Sequence, residues 1–283
     1  MALGKVADVN LAERAALTGG NWVLPLSNLL VPVMISQPAR CDDVGVLSSS
    51  EFTITLARAR SVNFLGLLFH SMSRNARIRI SLKDSSAAVI NTPEWEDVTP
   101  RLFPTSNLEW EQTNFWDGRP LEEDLDLYPR NFWFSLDNSL TVSSIVVEID
   151  DSTHPDGAFD IGYLFVARAW SPGFNFERGR ELNLQARDRI DESLSGHPTG
   201  EYRRPRRQHR IRYGDLTKDE AMRFVDAGMR VGTLRPILFI PDFDDKTHLY
   251  REAFLATLES PPGARFNFQG VHGTEMILKE IMR

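Results

Sequence analysis

The chain has 283 residues, of which 42% are hydrophobic and 25% charged, and its formal net charge is −7. These values are typical of a globular protein long enough for two domains, and they exclude a disordered chain. The acidic balance gives no reason to expect nucleic-acid binding by the chain as a whole. A single cysteine, Cys41, excludes an intramolecular disulfide and fits folding in a reducing cytoplasm.

Targeting and membrane signals are absent from the sequence. The N-terminal residues lack a basic segment followed by an apolar one. No apolar run approaches the ~20 residues that span a bilayer. We therefore expect neither a signal peptide nor membrane insertion.

The first 170 residues alternate apolar and polar side chains with a period of two, which is typical of half-buried strands. The strands predicted in this way are 51–57, 62–69, 76–83, 131–136, 144–149 and 159–167. Segment 62–69 is mostly apolar, which suits a central strand buried on both faces. Because turn residues separate these segments and helical periodicity is almost absent, the sequence predicts a β-sandwich.

Three segments of this region resemble a known fold. They are 17–30 (LTGGNWVLPLSNLL), the apolar strand that ends at His70, and Ile161-Gly-Tyr-Leu164. Their order resembles the galactose-binding-like jelly roll of the discoidin type, which is found in many phage virion proteins. The resemblance covers roughly residues 10–170 and implies a jelly-roll β-sandwich domain over 1–172.

The segment 91–130 follows neither a strand nor a helix period. It contains Trp95, Trp110, Trp116 and the acidic run 122–126. Loops of this length are often functional. Aromatic rings stack on sugar rings and carboxylates accept hydrogen bonds from hydroxyl groups, so the three tryptophans are candidate glycan contacts. In the alternative interpretation, which we favour, the tryptophans only fix the loop to the sandwich and the acidic run is solvated.

A turn signal at Ser171-Pro-Gly173 ends the first domain. The polar segment that follows, 173–192, is expected to be an extended connector or an edge strand. Pro172, Asn175 and Gly179 resemble a stretch that follows the jelly roll in related phage proteins.

The remaining residues, 193–283, predict an α+β domain with one helix. Thr217 is the expected N-cap of that helix, and Glu220 completes a capping box. The expected buried face carries Ala221, Phe224, Val225 and Met229, and Gly228 or Gly232 ends the helix. The predicted strands are 207–213, 236–240, 248–258, 266–270 and 275–281.

The second domain resembles the tail-tube and distal-tail ring domains of tailed bacteriophages. The resemblance rests on a turn-rich start, an arginine-dense strand, one helix, a Pro241–Asp245 turn and a final hairpin. It implies a homo-oligomeric ring, hexameric because tail tubes are hexameric, with DNA only as passing cargo.

Residues 178–212 contain ten arginines and five acidic residues, a net charge of +5, so the rest of the chain carries −12. Charge segregation of this kind favours contact between unlike surfaces of neighbouring subunits. The candidate intersubunit contacts are Arg203, Arg204, Arg206, Arg207 and Arg210. A solvated hairpin and contact with nucleic-acid phosphate are the alternatives, and no nucleic-acid motif supports the latter.

Three carboxylates between Asp242 and Asp245 admit two interpretations. They suit Ca²⁺ ligation, but the spacing does not match an EF-hand. A turn capped by aspartate side chains is the expected structure. No metal site and no cofactor are predicted.

The sequence contains no catalytic signature. The six histidines form no HExxH motif, and neither a Gly-x-Ser-x-Gly elbow nor a Walker loop is present. His70, at the end of an apolar strand, is expected to be a structural histidine. We therefore expect a protein that is not an enzyme, although carboxylates are numerous enough to leave a glycosidase pair open.

The resemblance implies a structural component of a phage tail tip or baseplate, located in the virion and made in the host cytoplasm. The second domain would form a ring around the DNA channel, and the jelly roll would contact tail-tube, tip or fibre proteins. The alternative is a carbohydrate- or receptor-binding module of the virion that attaches to a host-surface glycan.

Overall fold

A computed structural model describes residues 3–32, 35–192 and 195–282. The chain divides into two compact units. The first consists of Val9–Ala169 and Asp244–Arg251, and we call it the sandwich unit. The second contains the other described residues, and we call it the sheet–helix unit.

The described residues form eighteen strands, four α-helices and three short 3-10 helices. The strands are β1 (Lys5–Ala7), β2 (Ala16–Thr18), β3 (Trp22–Leu24), β4 (Ala39–Cys41), β5 (Phe52–Leu68), β6 (Arg77–Lys83), β7 (Trp95–Asp97), β8 (Asn131–Asp150), β9 (Phe159–Ile161), β10 (Tyr163–Ala167), β11 (Glu181–Gln185), β12 (Arg189–Glu192), β13 (Pro198–Glu201), β14 (Arg206–Leu216), β15 (Ile237–Ile240), β16 (Phe254–Leu258), β17 (Arg265–Phe268) and β18 (Val271–Glu280). The α-helices are α1 (Leu47–Ser50), α2 (Glu122–Asp126), α3 (Lys218–Val231) and α4 (Lys246–Glu252). The 3-10 helices are Ala12–Arg14, Leu26–Leu30 and Thr105–Asn107.

The sandwich unit consists of two antiparallel sheets that share one core. One sheet has the order β10-β5-β8-β6-β7, with β2 also paired to β5, and the other has the order β3-β4-β9. The Trp22 ring lies edge-on to Phe52 of the first sheet and to Phe159 of the second, with centroid distances of 5.7 and 5.8 Å. Two facing sheets around one apolar core confirm the predicted β-sandwich.

The period-two alternation located the sandwich strands but not their lengths. Segments 51–57 and 62–69 belong to one 17-residue strand, β5, and segments 131–136 and 144–149 belong to β8. The two long strands pair with each other through most of their length, with irregular register near Arg60 and Phe64. Predicted segment 159–167 is divided, because β9 pairs with β4 whereas β10 pairs with β5.

The sheet–helix unit is an antiparallel sheet with the order β1-β15-β16-β18-β14-β11, with β17 also paired to β18. Helix α3 packs on this sheet, where Phe224 contacts the rings of Trp170 and Tyr213. Strands β12 and β13 form a separate two-stranded sheet. This arrangement confirms the predicted α+β class.

Helix α3 begins as the sequence predicts. The Thr217 hydroxyl accepts a hydrogen bond from the backbone N–H of Glu220, and the Glu220 side chain accepts one from the Thr217 N–H. Gly232 ends the helix with a φ of +59°. The predicted buried face is wrong at Met229, which is 83% exposed, because Ala227 and Val231 occupy the core side of the last turns.

Two segments differ from the sequence prediction. The predicted strand 248–258 begins as a helix, α4, and only Phe254–Leu258 is a strand. The Asp245 side chain accepts a hydrogen bond from the backbone N–H of His248, which favours helix initiation there. Strand β1 pairs with β15, so the N-terminal residues of the range 1–172 belong to the sheet–helix unit.

The connector range 173–192 contains β11, which forms the edge of the sheet through its pairing with β14. The range 193–283 begins at Ser193, which lies outside the described residues. No helix in the described part of the chain is both long and apolar enough to cross a bilayer.

Candidate functional site

A cavity of about 350 Å³ lies within the sandwich unit. Its walls come from four parts of the chain: the end of β5, the segment 96–102, the segment 120–133, and helix α4. The lining residues are His70, Glu96, Asp97, Val98, Thr99, Pro100, Leu102, Pro120, Leu125, Tyr128, Pro129, Arg130, Asn131, Phe132, Trp133, Lys246, Leu249 and Tyr250. Most of them belong to the long loop that interrupts the alternating pattern.

Two strand ends bring polar side chains together at the cavity. Phe69 follows β5 with a φ of +57°, a conformation that L-residues rarely adopt and that is enriched at functional sites. The Asn131 side-chain oxygen accepts a hydrogen bond from the Phe69 N–H (3.0 Å), and the His70 N–H donates to the Arg130 carbonyl (3.1 Å). These bonds hold His70, Arg130 and Asn131 next to one another.

His70 is a neutral imidazole at physiological pH. It is only 6% exposed, and burial, assisted by the charge of Arg130, lowers its pKa to about 3. Its Nδ1 has no hydrogen-bond partner among the described residues. A neutral imidazole has one N–H donor and one acceptor nitrogen, so it can both donate to and accept from a hydroxyl group.

The Arg130 guanidinium is positioned by helix α2. Its Nη2 donates to Glu122 (2.5 Å) and to Asp126 (2.7 Å). Both carboxylates contact the same terminal nitrogen, and an arginine side chain has five N–H donors in total. The remaining N–H groups are free to serve a molecule in the cavity, because the described residues supply no other partner for them.

Aromatic rings form the apolar part of the lining. Tyr128 and Tyr250 contact each other edge to face, with ring centroids 5.6 Å apart. Trp133 packs over Gly66 of β5, where a Cβ atom would lie 2.9 Å from the indole ring, so only glycine permits this packing. The Trp133 ring is 6% exposed, and its indole N–H has no partner among the described residues.

The loop that builds the cavity is fixed mainly by polar contacts. The buried Arg119 guanidinium donates to Asp97 (3.0 Å), to the Asn75 side chain (3.0 Å) and to the Arg74 carbonyl. Gly118 has a φ of +61°, and a Cβ atom there would lie 2.4 Å from the Phe103 carbonyl oxygen. The lining residues of this loop are therefore held in place before any ligand enters.

The three predicted glycan-contact tryptophans do not line this cavity. Trp110 and Trp116 are 76% and 84% exposed, and the Trp116 ring contacts Phe115. Trp95 lies on β7 beneath the guanidinium groups of Arg77 and Arg79, 5.6 and 4.8 Å from its ring centroid. No ring contact in the described part of the chain joins any two of the three.

The predicted intersubunit arginines are largely occupied within their own unit. Arg207 is 3% exposed and forms an ion pair with Glu280. Arg210 pairs with Glu275 and Arg203 with Glu201, while Arg206 donates to Gln185. Arg204 is half-buried. Arg207 is buried in its own unit, and contact of these five arginines with a neighbouring subunit stays a prediction.

The Asp242–Asp245 segment leads into α4, with Asp245 near the helix start. The described residues contain no group of three or more His, Cys, Asp or Glu side chains that would hold a metal ion.

Sequence reasoning found the loop but missed the side chains that line the cavity. Tyr128, Arg130, Asn131 and Trp133 occur together where the irregular segment ends, and that cluster was the available signal. Tyr250 lies in the predicted strand 248–258, and nothing in the pattern connects it with a loop more than a hundred residues earlier.

Burial of His70 predicts a pH dependence of stability. Its pKa is lower in the folded state than in the unfolded chain, so its contribution is complete above about pH 6.5 and is lost as the pH falls towards about 3. At 1.4 kcal/mol per pH unit, wild type should lose about 2 kcal/mol more than His70→Gln between pH 7 and pH 5. Urea unfolding at the two pH values measures this difference. Equal losses would show that folding does not lower the pKa of His70.

Comparison with solved structures finds carbohydrate-binding modules. The module CpGH89CBM32-4 of Clostridium perfringens, in complex with GlcNAc-α-1,4-galactose, is 20% identical with a TM-score of 0.35, over 56% of this chain and 94% of the module. The family 32 module from C. perfringens NanJ, in complex with galactose, is 11% identical with a TM-score of 0.36, over 58% and 99%. The family 32 module from Streptococcus pneumoniae EndoD is 11% identical with a TM-score of 0.34, over 56% and 99%.

No protein-family model matches the sequence, and no curated protein matches it. The phage tail assignment stays a prediction.

Proposed function

We propose that the protein is a carbohydrate-binding module whose sandwich unit binds a sugar residue in the cavity. The observation that carries this proposal is the composition of one pre-formed cavity. The Tyr128–Tyr250 pair supplies an aromatic surface, and His70, Arg130 and Asn131 supply hydrogen-bonding groups beside it.

A sugar ring requires both kinds of surface. Its C–H groups pack against aromatic rings, whereas its hydroxyl groups need donors and acceptors at fixed positions. Arg130 donates, and Asn131, whose side-chain oxygen is already used by Phe69, offers its NH₂ group as a second donor. Neutral His70 can donate or accept. The cavity therefore fits a neutral polyol better than a purely apolar molecule.

The size and rigidity of the cavity agree with this proposal. A volume of about 350 Å³ is near the lower end of small-molecule sites, which span about 300–1,000 Å³, and suits a single terminal sugar residue. Since the Arg119 contacts fix the surrounding loop, little ordering of the protein would accompany binding.

The experiment is a screen of the purified protein on a glycan array, followed by calorimetric titration of the best saccharide. We expect saturable binding to which the titration of His70 makes no contribution between pH 5 and pH 8, because His70 stays neutral throughout that range. A protein that binds no saccharide at millimolar concentration would contradict the proposal.

The sequence also allows a virion module that attaches to a host-surface glycan. A sugar-binding sandwich unit is therefore compatible with the predicted tail-tip location. A hexameric ring and tail-protein partners remain predictions.

A further inference from the structure

Strand β11 forms one edge of the sheet in the sheet–helix unit. It pairs with β14 on one side and is the last strand of the sheet path on the other, within the described residues. All five of its residues are exposed. A strand edge of this kind presents unpaired backbone N–H and C=O groups and is a template for pairing with another strand.

Two leucines of β11 lie on the core face of the sheet without cover. Leu182 pairs with His209 and Leu184 pairs with Arg207, and directly paired residues point to the same face. His209 and Arg207 are buried, at 1% and 3% exposure, whereas Leu182 and Leu184 are 39% and 67% exposed. The core face of the sheet therefore continues from β14 onto β11, where its two leucines are exposed to solvent.

The sequence of β11 is complementary to itself in antiparallel register. A two-fold axis through Asn183 sets Leu182 opposite Leu184 of a second copy, and Glu181 opposite the neutral Gln185. No like charges face each other in this register, and the leucines extend the apolar face into the partner.

We propose that the occupant of this edge is a second copy of the chain, paired antiparallel through β11 about Asn183 to form a two-fold dimer. This inference is independent of saccharide binding, because β11 and the cavity belong to different units.

Sedimentation equilibrium at concentrations up to ~100 μM tests the association. Wild type should give twice the chain mass of 32.1 kDa. Leu184→Asp sets an unpaired carboxylate against the partner strand and should return the mass to that of one chain. The matched control is Leu234→Asp, at a leucine that is 89% exposed and lies outside β11, and it should remain a dimer.

Disulfide trapping tests the register. Paired Cα atoms in an antiparallel ladder are about 4.5–5.5 Å apart, which is within reach of a disulfide. Asn183→Cys should therefore cross-link with the same cysteine of the second copy under mild oxidation. Gln185→Cys should not, because in this register Gln185 lies opposite Glu181 of the second copy and far from the second Gln185. The native Cys41 is buried and does not interfere.

A wild-type protein that stays monomeric would overturn the proposal, as would a dimer that survives Leu184→Asp. An assembly in which Asn183→Cys fails to cross-link would also overturn it. An assembly without this cross-link would indicate a head-to-tail ring, in which β11 of one copy contacts a different edge of the next copy.

Discussion

Replacing Tyr250 with alanine is expected to weaken binding of the saccharide at least tenfold, a loss of about 1.4 kcal/mol. Tyr250 lines the cavity and holds the Tyr128 ring by an edge-to-face contact, so its removal takes away one aromatic surface and loosens the other. Calorimetric titration with the best array saccharide measures the change.

The matched control is Trp110→Ala. Trp110 is also a large aromatic residue, but it is 76% exposed and does not line the cavity, so its removal should leave the affinity unchanged. If Trp110→Ala abolished binding while Tyr250→Ala did not, the saccharide would bind to the outer surface of the loop instead.

Replacing Arg207 with methionine is expected to destabilise the sheet–helix unit by about 3–5 kcal/mol, because it leaves the buried carboxylate of Glu280 without its partner. Glu280 accepts hydrogen bonds from the Arg207 backbone N–H and from Nε, both at 3.0 Å, and the guanidinium lies 4.7 Å from the Phe254 ring centroid. Urea unfolding measures the loss, with hydrogen exchange of β14 and β18 identifying the transition of this unit.

Two further variants separate charge burial from a general loss of packing. Arg207→Met/Glu280→Gln removes both charges and keeps an amide oxygen for the backbone N–H, so it should recover most of the stability. Arg210→Met breaks an ion pair whose arginine is 42% exposed, and it should cost less than about 1 kcal/mol. Equal losses for Arg207→Met and Arg210→Met would contradict this explanation.

The parts of the fold that depend on local pattern were predictable from the sequence. Period-two alternation located the strands of the sandwich, and the Thr217–Glu220 spacing located the start of α3. The helix signal arises from contacts between residues a few positions apart, and the strand signal arises from burial of one face. Both are visible in the order of residues along the chain.

The cavity was not predictable in the same way, because its lining comes from distant parts of the chain. His70, Arg130 and Tyr250 are brought together by strand pairing and by a helix, α4, where the alternating pattern predicts a strand. The net charge of segment 178–212 did not predict how its arginines are paired. Glu275 and Glu280 on the last strand form ion pairs with two of them.

Fluorine NMR of the protein labelled with 5-fluorotryptophan tests the central claim most directly. The chain contains six tryptophans, and single Trp→Phe variants assign their signals. On addition of the saccharide, the Trp133 signal should shift, because its ring lines the cavity, while those of Trp110 and Trp116 should stay in place. Shifts of Trp110 or Trp116 with an unchanged Trp133 would contradict binding in the cavity.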